Sequence, residues 1–211
     1  MEPTLSAADA LQRLREGNDR FKNNVRSLDS LLTHTRRAEM AASPQRPIAV
    51  ILGCSDSRVP AEQVFDQGLG DLFVIRVAGN IVAPSQIGSV EFACERFGTR
   101  LVVVLGHSGC GVIQATVEAI EGRSGGDSRA IRSIVDRVRP AVESLIEVMP
   151  SSQHDRMMRE AVRANVRTSV GHLRHGSDVL ERLMHEEGLM VVGAEYSLET
   201  GAVEFFESPE A

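Results

Sequence analysis

Four short, continuously apolar runs recur along the 211-residue chain, and they restrict its fold more than any other feature. They occupy residues 48–53, 72–77, 101–105 and 189–194. Runs of this length without alternating polar residues are typical of strands buried on both faces, as in parallel sheets. Helical patterns separate the runs, at residues 85–97 and 112–120 and in longer stretches between residues 128 and 187. Strands that alternate with helices predict a mainly parallel sheet with helices on both of its faces.

The two ends of the chain add further elements. Residues 7–24 carry apolar side chains at near-helical spacing behind Ser6, a residue type suited to the N-cap, and they predict an amphipathic helix. Residues 28–42 are a second helical candidate. Residues 202–206 follow a Glu-Thr-Gly turn signal and predict a fifth strand that pairs antiparallel with the fourth.

The predicted fold class is α/β. We expect a mainly parallel sheet of strand order 2-1-3-4 with a fifth, antiparallel edge strand, helices on both faces and an N-terminal helical arm. The strand order is that of an open doubly wound sheet. The length and a hydrophobic fraction of 42% suit one domain with a large core. We therefore expect a single domain over residues 1–211, with residues 1–45 as the arm.

Composition argues against several classes of function. A net charge of -6 and the lack of a long Lys/Arg run disfavour nucleic acid or an anionic membrane as the partner. No stretch approaches the roughly 20 apolar residues that span a bilayer, and no apolar leader segment opens the chain, so we expect a cytoplasmic protein. Three cysteines cannot all pair, which favours thiolate chemistry over a disulfide framework.

Two cysteines and one histidine stand next to the ends of predicted elements. Cys54 follows the first strand and His107 follows the third. In the order 2-1-3-4 these strands are neighbours, so both side chains reach the crevice at the strands' carboxyl ends, where such sheets bind ligands. Cys110 lies three residues after His107 at the start of a helix, where the helix dipole favours a thiolate. Two thiolates and one imidazole form a three-ligand zinc set with an open fourth position, which is typical of catalytic zinc.

Other interpretations of the site residues stay open at this point. Asp56 closes the zinc site if it supplies a fourth bond. A cysteine in an apolar segment is usually a small core residue, and we assign Cys94 in the helix at 85–97 to that class. The remaining histidines lie on polar helical segments and are expected at the surface; they are His34, His154, His172, His175 and His185.

The motifs resemble the signature of the beta-class carbonic anhydrases. The zinc residues stand in Cys-Ser-Asp-Ser-Arg-Val-Pro at 54–60 and His-Ser-Gly-Cys-Gly at 107–111, and the resemblance extends through residues 65–80, 88–93 and 193–196. It implies reversible hydration of carbon dioxide to bicarbonate and a proton, with one zinc per subunit on Cys54, His107 and Cys110. It also implies a homodimer or a dimer of dimers in which the N-terminal helices pack across a partner subunit.

The resemblance further implies roles for three residues. Asp56 and Arg58 form a dyad in the family: the guanidinium holds the carboxylate bidentately and keeps it off the metal. Asp56 is then free to accept a hydrogen bond from the zinc-bound water, whereas a broken pair lets it bind zinc and stop catalysis. Gln45, nine residues before Cys54, matches a glutamine that donates a hydrogen bond to the substrate.

Some relatives also carry a second, inhibitory bicarbonate site built around a tryptophan three residues before the first cysteine. This chain has Ile51 there and no tryptophan, although Arg76 matches that site's arginine, so such inhibition is not expected. Two other functions stay open. One is hydrolysis of carbon disulfide or carbonyl sulfide at the same site, and the other is a non-catalytic zinc protein with Asp56 as the fourth ligand.

Overall fold

The computed structural model describes residues 5–27, 37, 40–123, 128–149 and 151–206. Its strands are β1 (Ala49–Gly53), β2 (Leu72–Arg76), β3 (Leu101–His107), β4 (Met190–Tyr196) and β5 (Val203–Phe206). Its helices are α1 (Ala7–Lys22), α2 (Ala61–Val64), α3 (Pro84–Arg96), α4 (Gly111–Ile120), α5 (Arg129–Val148), α6 (His154–His175) and α7 (Asp178–Glu186). Short 3-10 turns lie at Ala78–Asn80 and Ser151–Gln153.

The five strands form one sheet in the order β2-β1-β3-β4-β5. β1 pairs parallel with both β2 and β3, and β3 pairs parallel with β4. β5 returns antiparallel along β4. The predicted strand order and the antiparallel edge strand are therefore confirmed.

Successive side chains of β1 pack on opposite faces of the sheet, which explains its unbroken apolar run. Ile51 packs with Leu14 of α1 and with Phe65 on one face. Val50 and Leu52 pack on the other face, in the cluster that includes the buried side chains of α3, α6 and α7. Both central strands, β1 and β3, are buried at every residue. The hydrophobic core on both faces of the sheet consequently holds the carboxyl ends of these two strands in fixed positions.

Two details of the strands differ from the prediction. The side chains of β2 are only half-buried and Arg76 is exposed, because β2 is an edge strand in this chain. β3 continues two residues beyond the predicted end, because its backbone pairs with β4 as far as the partners His107 and Tyr196. His107 is therefore the last residue of its strand and not the residue after it.

α1 begins where the sequence predicts and packs on this chain's own sheet. The Ser6 hydroxyl oxygen accepts a hydrogen bond from the backbone N–H of Asp9 at 3.1 Å, which caps the helix. The buried Asn18 side chain donates to the carbonyls of Val64 at 3.1 Å and Gly201 at 2.9 Å, and its oxygen accepts from the N–H of Val203. The first helix is thereby joined to the last strand. The division into one domain with an arm at residues 1–45 stays a prediction.

The structure also locates the residues that the sequence assigned outside the site. Cys94 lies on the buried face of α3, as predicted, and burial raises its pKa to about 12. The four histidines in the described part of α6 and α7 are exposed, as predicted; they are His154, His172, His175 and His185. His34 and most of the predicted helix at 28–42 lie outside the described residues. Among the described residues, no helix is long and apolar enough to cross a membrane.

Replacing Gly17 with Ala should destabilise the protein, because at this residue α1 lies directly against the backbone of Phe65, just after α2. A Cβ atom at Gly17 would lie 1.8 Å from the carbonyl oxygen of Phe65, which is backbone and cannot rotate away. We expect a loss of about 1–3 kcal/mol in the free energy of unfolding, measured by urea denaturation. The control is Gly171→Ala in α6, where a Cβ would meet nothing within 4 Å and should be neutral or slightly stabilising. Equal effects of the two substitutions would contradict the packing of α1 described above.

Candidate metal centre

The three predicted zinc ligands meet at the carboxyl ends of β1 and β3. Cys54 directly follows β1, His107 ends β3, and Cys110 is the N-cap of α4. One ligand atom from each residue lies within 4.8 Å of the other two, and all three residues are buried. Gly109 adopts a φ of 63°, a left-handed conformation that turns the chain back between His107 and Cys110. The structure thus brings together the set that the sequence placed at one crevice.

The imidazole of His107 is oriented for a metal. Its Nδ1 lies 2.9 Å from the carbonyl oxygen of Ser108, and because a carbonyl can only accept, this contact places the ring proton on Nδ1. Nε2 is then a free acceptor, and it is buried without a hydrogen-bond partner among the described residues. A buried imidazole nitrogen without a partner is costly in an apolar interior. A metal ion bonded to Nε2 removes that cost.

The pKa values of the two cysteine thiols are shifted in opposite directions. Hydrogen bonding with Cys110 lowers the pKa of Cys54, although burial opposes this shift. The same interaction, together with burial, raises the pKa of Cys110. The backbone N–H of Gly79 also donates to the Cys54 sulfur at 3.3 Å. Two cysteine sulfurs with one imidazole are a donor set that fits zinc.

Asp56 and Arg58 form a bidentate pair beside the three ligands. Arg58 donates from Nε to Oδ1 of Asp56 at 2.9 Å and from Nη2 to Oδ2 at 2.7 Å, and its backbone N–H also donates to Oδ1 at 2.9 Å. The guanidinium holds the pKa of the Asp56 carboxyl well below its usual range. Oδ2 of Asp56 lies 3.9 Å from Nε2 of His107. The carboxylate is thus next to the ligand set and is held by the arginine.

Arg58 and Arg76 also fix the loop that carries these groups. Arg58 Nη2 donates to the carbonyl of Gly109 at 3.3 Å, which joins the loop after β1 to the loop after β3. Arg76 donates from Nε to the carbonyl of Cys54 at 3.1 Å and from Nη2 to the carbonyl of Asp56 at 2.5 Å. The sequence had related Arg76 only to a second bicarbonate site, so this contact with the loop was missed.

A second contact that the sequence missed holds the residue after His107. Ser108 donates from its hydroxyl to Oε2 of Glu199 at 2.8 Å, and the same hydroxyl accepts from the N–H of Leu198 at 2.9 Å. The hydrogen bond from Ser108 lowers the pKa of Glu199. The Glu-Thr-Gly motif therefore does more than turn the chain towards β5, because it also anchors the His107 loop. Gln45, by contrast, is exposed before β1, and its catalytic role stays a prediction.

Comparison with known proteins gives a consistent result. A family model described as carbonic anhydrase matches residues 49–203. Carbonic anhydrase 2 of Mycobacterium tuberculosis is 37% identical over 207 residues, covering 94% of this chain and 92% of that protein. The carbonic anhydrase of Mycolicibacterium smegmatis is 36% identical over 203 residues, covering 96% and 94%.

Solved structures show the same fold. A beta-carbonic anhydrase of the ascomycete Sordaria macrospora, described as tetrameric, superposes with a TM-score of 0.71 at 24% identity and covers 83% of this chain and 87% of its own. The Coccomyxa beta-carbonic anhydrase bound to acetazolamide gives a TM-score of 0.71 at 23% identity, with coverages of 92% and 85%. The family model and the mycobacterial relatives, which span nearly the whole chain, carry the assignment. The chain belongs to the carbonic anhydrase family and to its beta class, as the motifs around Cys54 and His107 had implied.

Proposed function

We propose that Cys54, His107 and Cys110 hold the zinc ion with which this chain hydrates carbon dioxide to bicarbonate and a proton. The observation that carries the proposal is the buried Nε2 of His107, which has no hydrogen-bond partner among the described residues. A ring nitrogen of this histidine lies within 4.8 Å of the sulfurs of Cys54 and Cys110. Zinc bound to this set supplies the Lewis acidity that makes a water molecule nucleophilic near neutral pH.

The proposed task of Asp56 is to orient the attacking water. Its carboxylate stays ionised because Arg58 lowers its pKa, so Oδ2 remains a hydrogen-bond acceptor beside the ligand set. A carboxylate that accepts a hydrogen bond from a water molecule turns a lone pair of that water towards the substrate. Attack on the carbon of carbon dioxide then forms one C–O bond, while the π-electron pair of one C=O bond moves to its oxygen. The proton of the water leaves to solvent, and the product is bicarbonate.

The proposed task of Arg58 is to keep Asp56 in this position. For Asp56 to become a fourth ligand, at least one of its oxygens would have to leave the guanidinium donor that it accepts from, at 2.9 Å for Oδ1 or 2.7 Å for Oδ2. Charge-assisted, bidentate pairs of this kind are among the strongest side-chain hydrogen bonds. The pairing therefore supports an open fourth position, and hence a catalytic zinc over a closed, structural one.

We also propose that the chain forms a homodimer or a dimer of dimers. The edge strand β2 is half-buried, and Phe73 on this strand packs against Phe97, which in turn packs edge-on against Phe92. Phe92 is 50% exposed, so this aromatic patch at the edge of the sheet is open to a second copy. The Sordaria relatives are tetrameric.

Light scattering should give the mass of two or four chains, and a stable monomer at micromolar concentration would contradict the proposal. A cytoplasmic location stays a prediction.

Purified protein should contain one zinc per chain and should hydrate carbon dioxide. Zinc content is measured by atomic emission and hydration by stopped-flow acidification of a pH indicator. Carbon disulfide and carbonyl sulfide are tested in parallel as alternative substrates. Full zinc content without hydration would overturn the proposal; turnover of a sulfur substrate would then identify a hydrolase, and no turnover at all would indicate a non-catalytic zinc protein.

Arg58→Ala should reduce turnover much more than zinc content, because it releases Asp56 without removing a ligand. We expect a loss of roughly 10–100-fold in turnover, which is the usual cost of losing a group that orients a metal site. The matched control is Arg123→Ala. Arg123 bonds to Glu121 two residues away, and its side chain is 56% exposed, as is that of Arg58. Equal loss of zinc and turnover in Arg58→Ala would instead show that Arg58 only maintains the fold of the loop.

A further inference from the structure

The hydrogen bond to the Cys54 sulfur comes from a turn in an unfavourable backbone conformation. Gly79, whose N–H donates at 3.3 Å, has a φ of 71°, and the next residue, Asn80, has a φ of 43°. Two successive residues in the left-handed region are uncommon, and for a residue with a side chain this conformation costs energy. Hydrogen bonds from outside the turn at Ala78–Asn80 would stabilise this conformation.

Two side chains of α6 hold this turn. Asn165 donates from Nδ2 to the carbonyl of Gly79 at 2.9 Å, and Ser169 donates from its hydroxyl to the carbonyl of Asn80 at 3.0 Å. Each of the two side chains belongs to a residue that is only 2% exposed. They stand four residues apart, so they project from the same face of the helix. One stripe of α6 thus binds two consecutive carbonyls of the turn.

The same helix is seated against the strand that ends in His107. A Cβ atom on Gly106, the residue before His107, would lie 2.6 Å from Cγ2 of Val166. A Cβ on Gly193 of β4 would lie 2.9 Å from Cγ1 of the same valine. The absence of these side chains lets α6 approach the backbone of both strands closely. α6 therefore fixes the turn beside Cys54 relative to the strand that carries His107.

We infer that Asn165 and Ser169 are positioning residues for the metal centre, which act by aiming the Gly79 amide at the Cys54 thiolate. This inference rests on the proposed zinc site. An N–H that donates to a thiolate withdraws electron density from the sulfur and reduces the charge that the sulfur gives to the metal. Two thiolate ligands make a zinc ion less electrophilic than neutral imidazoles do, and the aimed amide offsets part of that effect. It also fixes the direction of the Cys54 side chain.

The test uses Asn165→Leu, which keeps the approximate size of the side chain but removes its hydrogen bond to Gly79. Zinc affinity is measured by competition with a chelator, and the thiolate-to-metal charge-transfer band is recorded after cobalt(II) replaces zinc. We expect zinc to bind roughly 10–100-fold more weakly, because the Cys54 side chain loses the hydrogen bond that fixes its direction towards the metal. We expect the band to move to longer wavelength, because a sulfur without its hydrogen-bond donor gives up charge more easily. Ser169→Ala should cause a smaller loss of zinc affinity and a smaller shift of the band in the same direction.

The control is Val170→Ala, at a buried position of the same helix whose side chain cannot donate to the turn. It should lower thermal stability but leave zinc affinity and the cobalt band unchanged. An unshifted band and unchanged zinc affinity in Asn165→Leu would overturn the inference, as would the same spectral change in Val170→Ala. If Asn165→Leu does not fold, Ser169→Ala decides alone, and an unshifted band there overturns the inference.

These readouts separate the inference from the proposed function. Neither metal affinity nor the cobalt band depends on turnover of carbon dioxide. A wild-type protein that binds zinc but fails to hydrate carbon dioxide would overturn the proposed reaction and leave the spectral comparison valid. Conversely, normal hydration with identical bands in wild type and Asn165→Leu would overturn only the positioning role.

Discussion

The parallel pairing of β1 with β3 is the constraint on which the rest of this structure depends. Gly53 and Leu105 are partners in that ladder, so Cys54 and His107, more than fifty residues apart in sequence, extend beyond the same end of the sheet. The pairing is stabilised because alternate side chains of both strands are buried on opposite faces, and a register shift of one residue would exchange the two sets. The metal centre thus takes its geometry from the most deeply buried part of the molecule.

The second constraint is electrostatic. Two thiolates and the Asp56 carboxylate meet in a small volume at the ends of these strands, and on their own they would repel one another and resist burial. In the proposed zinc site, the dication and the Arg58 guanidinium would together balance the charge of these three groups. Arg58 and Asp56 belong to one short loop, and the positive charge of the guanidinium neutralises the negative charge of the carboxylate beside it. This attraction explains why Asp56 is drawn towards the guanidinium and held off the ligand set.

The sequence was sufficient for the fold and for the meeting of Cys54, His107 and Cys110 at one place, because both depend on local patterns. Unbroken apolar runs predicted the central strands, and the turn signal before β5 predicted its antiparallel return. Contacts between distant segments leave no such pattern. The bonds from Asn165 to Gly79, from Ser108 to Glu199 and from Arg76 to the loop after β1 join residues 20 to 91 positions apart, and nothing in the spacing of these residues predicts them. The true end of β3 at His107 was missed for the same reason, because pairing with β4 decides it.

Arg76 shows how tertiary contacts change the meaning of a residue. Its resemblance to a bicarbonate-binding arginine suggested a role that needs a tryptophan at position 51, where this chain has a fully buried isoleucine packed in the core with α1. In the structure its guanidinium donates to the carbonyls of Cys54 and Asp56, on either side of Ser55. Those two bonds set the path of the backbone from the first proposed zinc ligand, Cys54, to the carboxylate of Asp56. An arginine at position 76 therefore has a role in shaping the catalytic loop whether or not a second anion binds.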